Sequence, residues 1–198
     1  MSNNFPDSTT QQIAEQPLPG DLAIWIFIAA ELGIFAILFA AYAITRNTHL
    51  ELFNAAQARL DKTYGYINTI LLLTSSYCVA RANRYIKEGK ITLCTRYLIY
   101  AIILGASFLI VKIAEFHNDS LNGITISSNL FDMFYISLTF FHFMHVIMGM
   151  FILTVVTYKS YRHKYSQTDH TGIETGGAYW HMVDLVWIIL FSLVYVLH

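Results

Sequence analysis

Several side chains stand in apolar surroundings where an inert segment would carry none. Glu31 lies about ten residues into an apolar run that begins near Leu22, or ~15 Å along a helix that rises ~1.5 Å per residue. At that depth an isolated carboxylate is costly, so Glu31 must be protonated or paired. It could serve as a proton-relay or lipid-contact carboxyl, or as a neutral acid hydrogen-bonded between helices. His142 and His145 share a face at i,i+3 within Phe140-Phe141-His142-Phe143-Met144-His145. With His181 as a third ligand they suggest haem or metal, but such sites need more ligands than a histidine pair supplies. Hydrogen bonding between helices, with Glu31 as a partner, is the favoured reading.

His181 and Asp184 repeat the i,i+3 spacing in the last apolar run. That pair could hold a lipid headgroup or lock a helix contact, and the structural role is preferred. Asp132 reads as a first-turn acid matched to a helix dipole. Lys112 and Glu115 read as a local ion pair, one turn apart at the outer end of the third run. The polar cluster candidates are therefore Glu31, His142, His145, His181 and Asp184, with no catalytic residue and no metal ligand expected.

Other membrane chemistries fail at their motifs. Gly105-Ala106-Ser107 is followed by Phe108, which breaks a rhomboid-type Gly-x-Ser-Gly, and one His-x-x-His cannot supply a di-iron site. Cys78 and Cys94 are too far apart for a CxxC pair and read as small apolar residues. No phosphate-binding or dinucleotide fingerprint occurs.

The elements that must position these residues are apolar and long. The chain has 198 residues, 56% hydrophobic and 13% charged, against about 25% charged in soluble domains. Its net charge of −1 gives no reason to expect a nucleic-acid partner. Five apolar stretches run from about Leu22 to Ile44, Tyr66 to Ala80, Tyr97 to Ile113, Leu130 to Tyr158 and Tyr179 to Leu197. Most approach the ~20 residues that cross a bilayer core. The second is the shortest and needs Arg81 and Arg84 to snorkel. The expected fold is all-α, a polytopic transmembrane bundle of five helices spanning residues 21–198.

Residues 1–20 read as a disordered polar tail without the basic region of a secretory signal. Asp21 is expected to cap the first helix. Arg81, Arg84, Lys87, Lys90, Arg96, Lys159, Arg162 and Lys164 flank loops on the side of the N-terminus, against Arg46, Arg59, Lys62 and Lys112 opposite. The positive-inside rule then puts the N-terminus in the cytoplasm and the C-terminus in the periplasm. Between Arg46 and Gly65, Leu52, Phe53, Ala56 and Leu60 suit either a short amphipathic helix or an ordinary loop.

Five motifs in order resemble the cytochrome oxidase subunit III family. Trp25-Ile26-Phe27-Ile28-Ala29-Ala30-Glu31 with Phe35 and Phe39 resembles its glutamate-bearing helix, and Asn68-Thr69 with Leu73-Thr74-Ser75-Ser76 its next one. Gly105 through Glu115-Phe116 resembles the third. Phe141-His142-x-x-His145-Val146-x-x-Gly149 and Tyr179-Trp180-His181-x-Val183-Asp184-x-Val186-Trp187 resemble the last two. The resemblance implies an accessory subunit without its own active site, haem or copper, docked beside a haem–copper catalytic subunit I in a bacterial inner membrane. It implies bound phospholipid and a role in assembly, stability or sustained turnover.

Longer members have two further N-terminal helices that complete a lipid-holding cleft, so the resemblance does not imply a whole cleft within these residues. Leu18-Pro19-Gly20-Asp21 and the segment from Tyr179 to Trp187 look closer to forms associated with nitric oxide reductase than to those of quinol oxidases. Two other readings are a stand-alone proton or solute conductor using Glu31 and the histidines, and a haem-ligating membrane anchor.

Overall fold

In lipid a backbone can satisfy its N–H and C=O groups only within itself, so apolar runs of this length fold as helices. The computed structural model describes residues 22–197. The expected polar tail at 1–20 and the expected cap at Asp21 lie outside them. The helices are α1 (Leu22–Thr48), α2 (Leu50–Gln57), α3 (Lys62–Lys87), α4 (Ile91–Leu121), α5 (Leu130–Tyr161) and α6 (Thr171–Phe191), and α6 passes into a π-helical turn at Ser192–Val196. All the regular structure among the described residues is helical.

α3 and α4 overrun their apolar stretches at both ends, and α1, α5 and α6 at one end. Asp61 caps α3, its side chain accepting from the Thr63 amide at 2.9 Å, and Asn129 caps α5 in the same way through the Asp132 amide at 2.9 Å. At the other ends α3 and α4 stop at left-handed glycines, Gly89 and Gly123, both at φ 75°. The Lys90 amide returns to the Tyr85 carbonyl and the Ile124 amide to the Asp119 carbonyl, each at 2.9 Å, which satisfies carbonyls the helix leaves open. α6 starts eight residues before Tyr179, because Gly176 and Gly177 are not breakers there but points of close approach to α5 and α3.

α1, α4, α5 and the segment Thr171–Val196 are long and apolar enough to cross a membrane. α3 has the length, 26 residues, but is more polar on average. Its polarity faces inward: Asn68, Ser75 and Ser76 are buried, while Tyr66, Ile67, Ile70, Leu73 and Tyr77 are exposed. The Ser75 hydroxyl donates to the Ala101 carbonyl of α4 at 2.9 Å. Hydroxyls that do face outward close on their own helix, as Thr74 does on Ile70 at 2.7 Å and Thr154 on Met150 at 2.7 Å.

The segment between α1 and α3 does form a short helix. Phe53 of α2 is fully buried and meets Tyr42 of α1 and Phe131 of α5 at centroid distances of 5.4 and 5.5 Å. α3 and α4 pair along their length, and α6 lies across α3 and α5. α1 is the most peripheral, burying only Ile28, Phe35 and Tyr42 on a single stripe.

The centre of the bundle is a close approach on Trp180. A Cβ on Gly149 would lie 2.9 Å from the Trp180 ring and 3.3 Å from Tyr179, and a Cβ on Gly105 would meet Met150 Sδ at 2.5 Å and the same indole at 2.9 Å. Glycines that admit a neighbouring ring are a common device of membrane helix packing. Gly149→Val should therefore cost about 1–3 kcal/mol through overpacking, read as a lower unfolding midpoint in detergent, whereas Gly33→Ala, where nothing lies within 4 Å, should leave that midpoint unchanged.

Candidate functional site

The polar residues of the bundle form separate clusters rather than one. Glu31 and His145 join α1 to α5, with Glu31 Oε2 3.0 Å from His145 Nε2. His145 Nδ1 lies 2.8 Å from the Phe141 carbonyl, which can only accept, so Nδ1 carries a proton. A single further proton then sits between Glu31 and Nε2, as a neutral acid donating to imidazole or as an imidazolium on a carboxylate. Either way the pair carries no net charge. Phe35 and Phe141 pack edge-on against the imidazole at 5.1 and 4.6 Å.

His142 does not join His145. Three residues earlier on the helix, it turns to the other side, fully buried, and lies tilted over Trp187 at 5.2 Å and edge-on to Phe108 at 6.0 Å. Neither of its ring nitrogens has a hydrogen-bond partner. His181 faces α3, where its Nδ1 is 2.6 Å from the Ser76 hydroxyl. Asp184 Oδ2 lies 3.6 Å from the same nitrogen, beyond hydrogen-bond range, so Ser76 rather than Asp184 is the partner that orients the ring. Each candidate histidine is thus engaged in a contact of its own. Among the described residues no group of three or more His, Cys, Asp or Glu side chains is placed to hold a metal ion.

The largest polar cluster lies at the end of the bundle where α3 and α5 begin and α4 finishes. Lys112 and Glu115 are no outer-rim ion pair: their side chains are 0% and 3% exposed, with Nζ 3.0 Å from Glu115 Oε2. Four elements converge on them. Asn68 of α3 donates to Glu115 at 3.3 Å. The Tyr135 hydroxyl of α5 is 2.9 Å from Glu115 and 2.7 Å from Asp119. Tyr195, in the turn after α6, donates its hydroxyl to Glu115 and accepts from Lys112 at 3.2 Å. The Lys112 ammonium also lies 5.0 to 5.8 Å from the ring centroids of Phe116, Tyr135, Trp187 and Tyr195. That array of ring faces replaces part of the ammonium's hydration.

Beside this cluster Asp132 does more than meet a helix dipole. It is fully buried and receives Arg59 at 3.1 and 2.9 Å and Asn129 at 2.8 Å. Lys112, Glu115 and Asp119 share a face of α4 by their spacing, and Asp132 and Tyr135 share one of α5. Asn68, Tyr135, Tyr195 and Arg59 come from elsewhere in the chain, and no local pattern announces their convergence.

At the opposite end a cleft of about 450 Å³ opens between α1, α3 and α6, lined by Trp25, Ile28, Leu32, Asn83, Lys87, Glu174, Met182 and Leu185 among others. Its polar end holds an ion pair, Lys87 Nζ to Glu174 Oε1 at 2.7 Å, and apart from Asn83 and His181 the other lining side chains are apolar. Just beyond, Lys90 and Arg84 hold the exposed carboxyl of Glu88 below its usual range.

The chain matches the family profile described as cytochrome c oxidase subunit III over residues 20–198. It is 30% identical to cytochrome c oxidase subunit 3 of Thermostichus vulcanus, covering 89% of this chain and 86% of that protein. It is 30% identical to cytochrome c oxidase subunit 3 of Bacillus subtilis, covering 89% and 85%. It is 28% identical to cytochrome bo(3) ubiquinol oxidase subunit 3 of Buchnera aphidicola subsp. Schizaphis graminum, covering 87% and 90%.

Three substitutions separate the roles described. His142→Phe keeps the ring contacts and removes two unpartnered nitrogens, so the unfolding midpoint in detergent should hold or rise. Arg59→Met leaves the Asp132 carboxylate buried with one partner fewer and should cost about 1.5–3 kcal/mol, the range for hydrogen bonds to charged groups. Adding Asp132→Asn should recover part of that loss in a double-mutant cycle.

Proposed function

The chain belongs to the cytochrome c oxidase subunit III family, and from that premise we propose how it serves a haem–copper oxidase. It is an accessory subunit of such an oxidase and associates with other subunits of the complex in a membrane. The observation that carries this reading is the unbroken family match from residue 20 to residue 198.

The fold supports finer features of this reading. α3 is the fifth span, since its polar stripe faces α4 and α6 and its outer face is aromatic and aliphatic. The end that carries α2 is periplasmic and the N-terminus cytoplasmic, in a bacterial inner membrane, with the basic loops inside. The catalytic subunit docks on α1, whose exposed Ile26, Ile37 and Ile44 are 64, 72 and 68% accessible in the isolated chain, a broad apolar face of the kind that marks an interface or a lipid contact.

The cleft between α1, α3 and α6 takes a phospholipid, with its headgroup at Lys87 and Glu174 and an acyl chain along Ile28, Leu32 and Leu185. Haem and copper reside in the partner. The acceptor is oxygen, a reading supported by relatives named as cytochrome c and ubiquinol oxidases, with a complex associated with nitric oxide reductase as the other member of the class. The polar clusters of this chain then set helix register and hold the subunit's shape, without chemistry on a substrate.

A tagged chain purified in mild detergent should bring down a haem–copper subunit that consumes oxygen. Glu31→Gln, which keeps an acceptor and a donor for His145, should bring down the same amount of haem. Recovery of the chain free of any haem protein would count against the accessory role, and consumption of nitric oxide in place of oxygen would reassign the acceptor.

A further inference from the structure

The hydrogen inventory of the buried cluster at the α2 end does not close with both acids ionised. Three close oxygen–oxygen contacts need a proton each: Tyr135 to Asp119, Tyr135 to Glu115, and Tyr195 to Glu115. The two phenols supply two protons. A phenol donates only once, so Tyr135 can serve Glu115 or Asp119 but not both. The third proton must come from a carboxyl.

The charge count makes the same demand independently. Facing the cluster are Asn68 from α3, Lys112, Glu115 and Asp119 from α4, Tyr135, Asp132 and His142 from α5, Tyr195 from the turn after α6, and Arg59 from the link between α2 and α3. Arg59 is matched by Asp132. His142 lies against Trp187 and is neutral in this count. That leaves one ammonium against two carboxyls, a net negative charge among side chains that are buried. Uncompensated charge in such a place is strongly disfavoured. One bound proton removes it.

We propose that Glu115, Tyr135 and Asp119 form a proton-binding site that holds a single exchangeable proton, shared between the two carboxyls through the Tyr135 hydroxyl. In one arrangement Asp119 keeps the proton and donates to Tyr135, which donates to Glu115, the counter-ion of Lys112. In the other, Glu115 keeps it and donates to Tyr135, which donates to Asp119. Two short proton shifts, one into the phenol oxygen and one out of it, interconvert them with no heavy atom displaced and no change in total charge. Asp119 is the member nearer the surface, 6% exposed against 2% for Glu115, and is where the proton enters from water.

Infrared spectra of the full chain in phospholipid nanodiscs, in H2O and D2O, test this with wild type, Asp119→Asn, Glu115→Gln and Tyr135→Phe. Wild type should show a protonated-carboxyl C=O band that shifts down in D2O. One carboxyl equivalent of it should be lost in each of the two carboxyl variants, since either acid left alone ionises against Lys112. Any contribution from Glu31 is common to all samples and cancels in the differences. Tyr135→Phe keeps both carboxyls and should keep the band but slow its exchange into D2O. A band undiminished from wild type in either carboxyl variant overturns the sharing. Its absence from wild type overturns the site itself, without reference to how any variant folds. Exchange as fast in Tyr135→Phe as in wild type overturns the path through the phenol.

Discussion

A charged side chain on a helix surrounded by lipid has no water to fall back on, and the bundle is arranged around that shortage. Lys112 is the extreme case. It stands well inside α4, fully buried, and one partner would not replace its hydration. Glu115 supplies the opposing charge and Tyr195 an oxygen, while Phe116, Tyr135, Trp187 and Tyr195 offer ring faces. Glu115 and Phe116 come from α4 itself, but Tyr135, Trp187 and Tyr195 had to be delivered from α5, α6 and the turn after it. The position of the C-terminal turn, the tilt of α5 against α4 and the approach of α3 at Asn68 are all geometric conditions of keeping one ammonium in place.

The same shortage turns α3 inside out. A water-soluble amphipathic helix hides its apolar face, whereas α3 hides its polar one. Asn68, Thr69, Ser75 and Ser76 meet Glu115, the Trp187 indole, the Ala101 carbonyl and His181 in turn. Each bond ties α3 to α4 or α6, so the residues that lower its mean hydropathy are those that fasten it. An average over the helix measures composition and ignores the direction in which the polar groups face.

That distinction explains what was legible in the sequence. Apolar runs located α1 and α5 almost to their ends, because a long hydrophobic segment has one economical conformation in lipid. They placed α3, α4 and α6 too short; in α3 and α6, Asp61, Lys87 and the Gly176-Gly177 pair look like boundaries to a hydropathy reading and are in fact a cap, an ion-pair partner and packing contacts. Spacing on one helix paired Lys112 with Glu115 correctly but assigned the pair to the rim. The depth of a pair depends on which helices surround it, and Tyr135 and Tyr195 lie 20 and 80 residues from Glu115 in the chain. His142 and His145 show the limit from the other side. An i,i+3 spacing makes two residues neighbours on a helix surface, yet a boundary between two packing partners runs between them, so one meets α1 and the other meets α4 and α6.

α1 carries the most recognisable motif and has the fewest contacts of the five long helices, which is consistent once the function of its glutamate is separated from the strength of its bond. Ile28, Phe35 and Tyr42 repeat every seven residues and make a narrow stripe that would fit α5 and α6 almost as well after a rotation or a slide. Buried polar pairs contribute little net stability against their desolvation, but they penalise every register in which they are broken. Glu31 opposite His145 is such a pair, and the Tyr42 hydroxyl on the Leu193 carbonyl at 3.2 Å is a second constraint some three turns further along. Two polar contacts along one seam fix both the rotation and the height of a helix that apolar packing leaves free. The rest of its circumference then stays aliphatic and oriented outward, as a helix between this bundle and its surroundings must be.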